Sequence, residues 1–136
     1  MSVVNGMTPL LKGIHYETQT ISPDDSQEEA NTIKDGVKSV RLGANVNDTD
    51  DFTVLPSLAA VQNGHEITII AGAANSELRT PAASAEEINS EDCDGTKELL
   101  MTATNIYTLT KIDDTIGWMC KSFTAVGTVV ASVTPD

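Results

Sequence analysis

The sequence has few aromatic residues, few basic residues and only two cysteines. Of its 136 residues, 4% are aromatic, 8 are lysine or arginine and 20 are aspartate or glutamate, which gives a formal net charge of −12. Phosphate backbones and anionic membrane surfaces repel such a chain, so we expect neither nucleic acid nor a membrane among its partners. Two cysteines are too few for a disulfide framework, and we expect free thiols at Cys93 and Cys120.

Long apolar runs and a basic N-terminal start are also missing. A membrane-spanning helix needs roughly 20 mostly apolar residues, and no segment approaches that length. The first five residues carry no basic side chain and lead into no apolar run, which argues against a signal peptide. The chain length suits a single β-domain over residues 13–136, preceded by an N-terminal docking arm over residues 1–12.

What the sequence does contain is a series of short β-branched runs separated by turn residues. The clearest stretch, residues 98–122, is typical of an antiparallel meander. Its third run places Trp118 on the same face as Ile116 and Cys120, and we expect Trp118 to be a core anchor because one indole buries a large area. The middle run alternates, with Ile106, Thr108, Thr110 and Ile112 on one face and Tyr107, Leu109 and Lys111 on the other.

The remaining segments predict an all-β fold. We expect an antiparallel β-sandwich or small barrel of about eight short strands, with no exact internal repeat. Residues 22–36 could form a short helix or an exposed acidic loop, and both alternatives stay open at this stage. Residues 82–97 are expected to form a long acidic connection with Ile88 pointing inward. Further strands are expected at 13–21, 37–42, 52–56, 65–71, 78–81 and 124–133.

The sequence offers little that indicates catalysis or a cofactor. Asp92–Glu98 has the Asp-x-Asp-Gly character of a calcium loop, but it lacks the further oxygen ligands, and the acidic turn that ends at Asp51 is similar. We therefore expect no metal, no cofactor and no effect of a chelator on folding. His15 and His65 are isolated, and no nucleophile motif is present, so we do not expect an enzyme.

Four elements carry a resemblance to a known type of module. In order they are Phe52-Thr-Val-Leu-Pro-Ser, Gln62-Asn-Gly-His-Glu-Ile-Thr-Ile-Ile, Glu87-Ile-Asn and a strand ending Gly117-Trp-Met-Cys. This arrangement resembles a β-module of surface proteins in tailed bacteriophages, which occurs in head decoration proteins, head fibres and tail fibres, often as trimers. The likeness spans about residues 52–122, and the acidic segment 83–96 departs from the pattern.

The resemblance implies a virion structural protein without catalytic residues. A capsid decoration (cement) protein, assembled in the host cytoplasm and placed on the capsid surface, best fits a small acidic chain without a stem. Its partners would be the major capsid protein and further copies of itself in a homotrimer. A head or tail fibre, or a receptor-binding module, is the alternative, and a binding module outside phages is a third. The arm residues expected to contact the capsid or another subunit are Val3, Val4, Met7, Leu10 and Leu11.

Overall fold

The computed structural model describes residues 17–47, 50–95, 97–130 and 133–135. These residues form two β-sheets with little helix, which confirms the all-β prediction, and neither sheet closes into a barrel within this described part. The elements are β1 Thr18–Ile21, α1 Glu28–Asn31, β2 Ser39–Leu42, β3 Phe52–Val54, a 3-10 turn Leu58–Ala60, β4 Glu66–Ile70, β5 Ser76–Arg79, β6 Glu87–Ile88, β7 Glu91–Asp92, β8 Leu99–Met101, β9 Ile106–Asp113 and β10 Gly117–Phe123.

The two sheets mix parallel and antiparallel strands. The larger sheet has the order β1-β2-β4-β9-β10-β6-β7, and the smaller has the order β3-β5-β8. Four of the eight strand pairings are parallel, so the prediction of an antiparallel architecture is wrong. The physical reason is the path of the chain, which alternates between the sheets from β2 to β5 and returns to each sheet in the same direction.

In the first half of the described chain, successive strands of each sheet lie side by side in parallel register; we call each such crossing of a sheet a pass. Ser39 pairs with Thr18 on one side and with Thr68 on the other. In the smaller sheet, Val54 pairs with Arg79 and forms a parallel bridge to Thr32. The stacked passes therefore place residues that are distant in sequence at neighbouring positions.

The meander forms the second half of the larger sheet. Tyr107, Leu109 and Lys111 are buried, whereas Ile112 on the opposite face is 39% exposed, which confirms the predicted alternation of β9. Ile116 does not share the buried face of Trp118, because it lies in the turn before β10 and is 43% exposed. A register irregularity at Gly117 and Trp118 separates it from the alternating strand.

Residues 82–97 contain a short hairpin where a long connection was expected. Asn89 and Ser90 form its two-residue turn, and both have positive φ angles, of 52° and 69°. This is the geometry of hairpin turns whose twist matches that of the flanking strands. Ile88 is fully buried, as predicted for an inward residue, and pairs with Trp118.

Two other segments differ from or refine the sequence prediction. No strand occupies the described residues of 124–133, because the chain turns at Gly127 and makes a single bridge between Phe123 and Val129. Val126 in this turn is 89% exposed, so its apolar character does not reflect burial. Segment 22–36 includes the one-turn helix α1 and is otherwise irregular.

One buried apolar cluster is shared by the two sheets. It also includes residues from the segments between strands, such as Ile33, Leu55 and Leu58. The larger sheet contributes Ile21, Val40, Leu42, Ile67, Ile69, Ile88, Tyr107, Leu109, Trp118 and Cys120, and the smaller sheet contributes Leu78, Leu99 and Met101.

Candidate functional site

Of the site residues selected from the sequence, the structure describes Trp118 but not the arm residues. Trp118 lies in the core with no exposed surface. The five apolar residues of the arm lie outside the described residues, as does His15. They are Val3, Val4, Met7, Leu10 and Leu11.

Trp118 is enclosed by elements that the resemblance singled out. The His65 ring meets its indole edge-on, with the ring centroids 6.5 Å apart, and Ile88 is its register partner on β6. The indole Nε1 has no hydrogen-bond partner among the described residues. The indole therefore contributes to the fold through apolar packing alone.

Asn89 attaches the β6–β7 hairpin to the edge of β10. Its side-chain oxygen accepts from the Cys120 amide at 2.8 Å, and its side-chain nitrogen donates to the Cys120 carbonyl at 3.2 Å. The same nitrogen donates to the Val133 carbonyl at 2.7 Å, and the Asn89 amide donates to the Trp118 carbonyl at 2.9 Å. One side chain thus joins three segments.

The larger sheet presents a surface of threonines and exposed apolar side chains, which we call the outer face. Ile70 is 48% exposed, Ile112 39% and Met119 42%. Exposed apolar side chains grouped on one face are typical of contact surfaces. The outer face consists of Thr68, Ile70, Thr108, Thr110, Ile112, Met119 and Lys121.

Three carboxylates converge at a different place, which we call the aspartate cluster. One oxygen from each of Asp24, Asp25 and Asp51 lies within 4.8 Å of the others. Asp24 and Asp51 are buried, and Asp25 is exposed. The hydroxyl and the amide of Ser26 both donate to Asp24 and lower the pKa of that carboxyl below its usual value.

Backbone and side-chain bonds hold the two loops of the aspartate cluster together. The Asp25 amide donates to Asp51 Oδ1 at 3.0 Å, and the Asn47 amide donates to Asp51 Oδ2 at 2.7 Å. Asn47 Nδ2 donates to Asp25 Oδ1 at 2.9 Å, and Asn31 Nδ2 donates to the Asp24 carbonyl. Sequence reasoning placed Asp24 and Asp25 in a segment that could be a short helix or an acidic loop, and Asp51 in a separate turn, because no spacing rule joins residues so far apart.

The calcium-like loop Asp92–Glu98 has a different arrangement. Lys97 forms an ion pair with Glu91 at 2.5 Å, and the Asp94 amide donates to Asp92 at 3.3 Å. Asp92 is exposed and belongs to none of the carboxylate groupings found among the described residues. The segment thus begins in β7 with an exposed Asp92 and continues with Cys93, which is fully buried.

The thiols and the described histidine make no reactive pair in the structure. Both cysteines are free, as predicted, and both are buried. Burial raises the pKa of Cys93 to about 11 and that of Cys120 to about 12, so both stay protonated at neutral pH. His65 Nε2 lies 3.2 Å from the Val37 carbonyl.

The chain matches no protein-family model, and a search of curated proteins finds no match either.

Among the described residues, no helix has the length and apolar character needed to cross a lipid bilayer.

Proposed function

We propose that this chain is a non-enzymatic structural protein of a bacteriophage virion, a capsid decoration protein that binds and stabilises the head. The observation that carries the proposal is that three of the four quoted elements meet at Trp118, through His65, Ile88 and Trp118 itself.

The contacts between those elements are specific. Leu55, from the leucine–proline element, is fully buried in the shared core. Gly64, from the asparagine–glycine turn, donates its amide to the Lys111 carbonyl at 2.7 Å. Ile88 and Asn89 form the plug against β10 beside Trp118. Each element therefore has a structural role that suits a module closed by its tryptophan strand.

We also propose that the two sheets pack face to face as a sandwich and that the domain assembles as a homotrimer. The shared buried cluster supports the sandwich, because it draws apolar side chains from both sheets. The outer face supports self-association, because contact between subunits would remove Ile70, Ile112 and Met119 from water.

The proposed partner is the major capsid protein, reached through residues 1–12. The arm has five large apolar side chains, and burial of each could contribute roughly 1.5–3 kcal/mol before the cost of ordering. The net charge of −12 would keep decorated particles apart on the capsid surface.

A fibre or receptor-binding module is the second candidate, and the parallel winding favours it. β1, β2 and β4 stack in register, and β1 is an edge strand of the larger sheet in the described part. Stacked parallel passes can be extended by adding further passes, which is how elongated β-solenoids grow. In this alternative, the winding would continue a shaft supplied by another chain.

The docking test compares the full chain with a variant lacking residues 1–12. Both are mixed with expanded phage heads that lack decoration and are sedimented, and circular dichroism checks that the truncated domain folds. Decoration predicts that the full chain co-sediments and that the truncated chain remains in the supernatant. Equal sedimentation of both chains would refute docking through residues 1–12. Binding to host cells but not to heads would favour the fibre alternative.

Light scattering tests the trimer separately. The paired substitutions Ile112→Thr and Met119→Thr should shift the molecular mass toward that of the monomer, because they remove apolar area from the outer face. Leu100→Thr is the matched control, since Leu100 is 50% exposed but belongs to the smaller sheet. A full chain that is monomeric both in solution and on heads would contradict the trimer.

A further inference from the structure

We propose that the outer face of one copy contacts the acidic β6–β7 end of the larger sheet in the next copy. This inference rests on the proposed homotrimer and names the surface that each subunit offers to its neighbour. A ring of three identical subunits has heterologous contacts, in which one patch of a subunit meets a different patch of the next. The outer face therefore needs a complementary surface elsewhere on the same chain.

The outer side of the larger sheet is net positive, although the whole chain has a formal net charge of −12. Lys121 belongs to the outer face, and Arg41 lies beside it, in register with Ile70. Both side chains are exposed. The carboxylate on this side of β1, β2, β4, β9 and β10 is Glu66, opposite Thr110. Two cations and one carboxylate give this side a charge opposite in sign to that of the chain.

Neither cation is neutralised within the described part of the chain. The ion pairs found there join Arg79, Lys97 and Lys111 to carboxylates. Arg41 and Lys121 belong to none of these pairs. Opposite charges across an interface steer association and fix its register, so two unpaired cations on an exposed face favour an acidic partner surface.

The β6–β7 end of the same sheet presents two carboxylates side by side. Glu87 and Asp92 are directly opposite each other in the antiparallel pair, where like charges are destabilising. Neither takes part in an ion pair among the described residues. Ile88 and Trp118 are register partners that are both fully buried in the core. Because side chains alternate along a strand, Glu87 and its partner Asp92 point to the outer side of the sheet.

The position of this end favours a closed ring over an open filament. A heterologous contact closes into a ring of three only when the two contact surfaces lie on adjacent sides of the subunit. β6 and β7 form one end of the sheet that carries the outer face, so they meet that condition. The acidic residues Glu28 and Glu29 of α1 lie beside β3 of the smaller sheet, and a contact there would direct the two surfaces apart.

The test is sedimentation equilibrium of the full chain and of charge-reversal variants, with circular dichroism to check folding. Lys121→Glu and Asp92→Lys should each weaken association by about fivefold or more, because each loses an exposed ion pair and adds a repulsion. The chain that carries both substitutions should regain most of the association, since every contact again joins opposite charges. Lys34→Glu and Asp35→Lys are the matched controls, because they change the net charge equally at exposed residues outside both surfaces.

The outcomes separate this inference from the trimer itself. Trimers that are unchanged by Lys121→Glu and Asp92→Lys, or weakened equally by the controls, would overturn the inference and leave the homotrimer in place. Contact between two outer faces predicts that Asp92→Lys has no effect and restores nothing, which would also overturn it. If the natural chain assembles only on heads, the same variants are compared by co-sedimentation with heads. A chain that is monomeric in both settings would overturn the trimer and the inference together.

Discussion

Gly117 shows how a single missing side chain can determine where two strands meet. Its φ is +75°, and a Cβ added there would lie 2.5 Å from the Glu87 carbonyl oxygen. Glu87 belongs to β6, which pairs with β10 through Ile88 and Trp118. Glycine at this position therefore provides both the turn geometry and the room for β6.

The first prediction compares two alanine substitutions at glycines with positive φ. Gly64 has φ +84° and open space around its Cβ position, so Gly64→Ala should cost only the backbone strain of roughly 1–2 kcal/mol. Gly117→Ala adds the clash with Glu87 and should lower the free energy of unfolding by clearly more. Urea denaturation of both variants measures the difference, and equal losses would show that close packing at Gly117 is unimportant.

The second prediction concerns Trp118. Trp118→Ala should reduce the free energy of unfolding by roughly 3–5 kcal/mol, because a fully buried indole leaves a large cavity. Trp118→Phe is the control and should cost less, since the indole Nε1 makes no hydrogen bond to the described residues that could be lost. Because this is the only tryptophan, its fluorescence reports directly on burial. A water-like emission maximum in the folded protein would contradict the structure.

At the scale of elements, the Asn89 side chain makes three of the hydrogen bonds that attach the β6–β7 hairpin to the rest of the domain. Asn89→Gly keeps the positive φ but removes three side-chain bonds to β10 and the C-terminal segment, at roughly 1 kcal/mol each. Ser90→Gly, at the adjacent exposed turn position, should be close to neutral. Chemical denaturation should separate the two variants, and hydrogen exchange at the Cys120 amide should accelerate only in Asn89→Gly. Similar behaviour of both variants would show that Asn89 does not anchor the hairpin.

The sequence predicted individual strands better than their partners. The alternation of β9 follows from a local period-two pattern, and the inward position of Ile88 from its being an apolar residue in an acidic segment; neither depends on the neighbouring strand. Parallel and antiparallel pairing give the same alternation of apolar and polar residues. The sequence therefore could not predict whether β1 runs parallel or antiparallel to β2. The strand predicted at 124–133 is wrong for the opposite reason. Its valines and alanines favour a strand locally, but Val126 is exposed in a turn.

For the whole molecule, the aspartate cluster was beyond local reasoning. Asp24 and Asp51 become neighbours only because the chain crosses between the sheets and returns. The indication available in sequence was that both lie in acidic polar segments, and such segments are usually solvated turns. Composition does not distinguish carboxylates that converge from carboxylates in a solvated turn. That distinction requires knowing which distant segments of the chain pair with each other.

The parallel winding of the first half also has a consequence for the rate at which this chain folds. The β9–β10 hairpin closes across a short turn, so its contacts can form quickly. Long intervening segments separate the residues that pair in parallel, Ser39 with Thr68 and Val54 with Arg79. Closing those loops costs chain entropy before the paired strands gain any contacts. We therefore expect the hairpin to form before the parallel pairings. We expect β4 to connect the two parts, because it pairs with β9 on one side and β2 on the other.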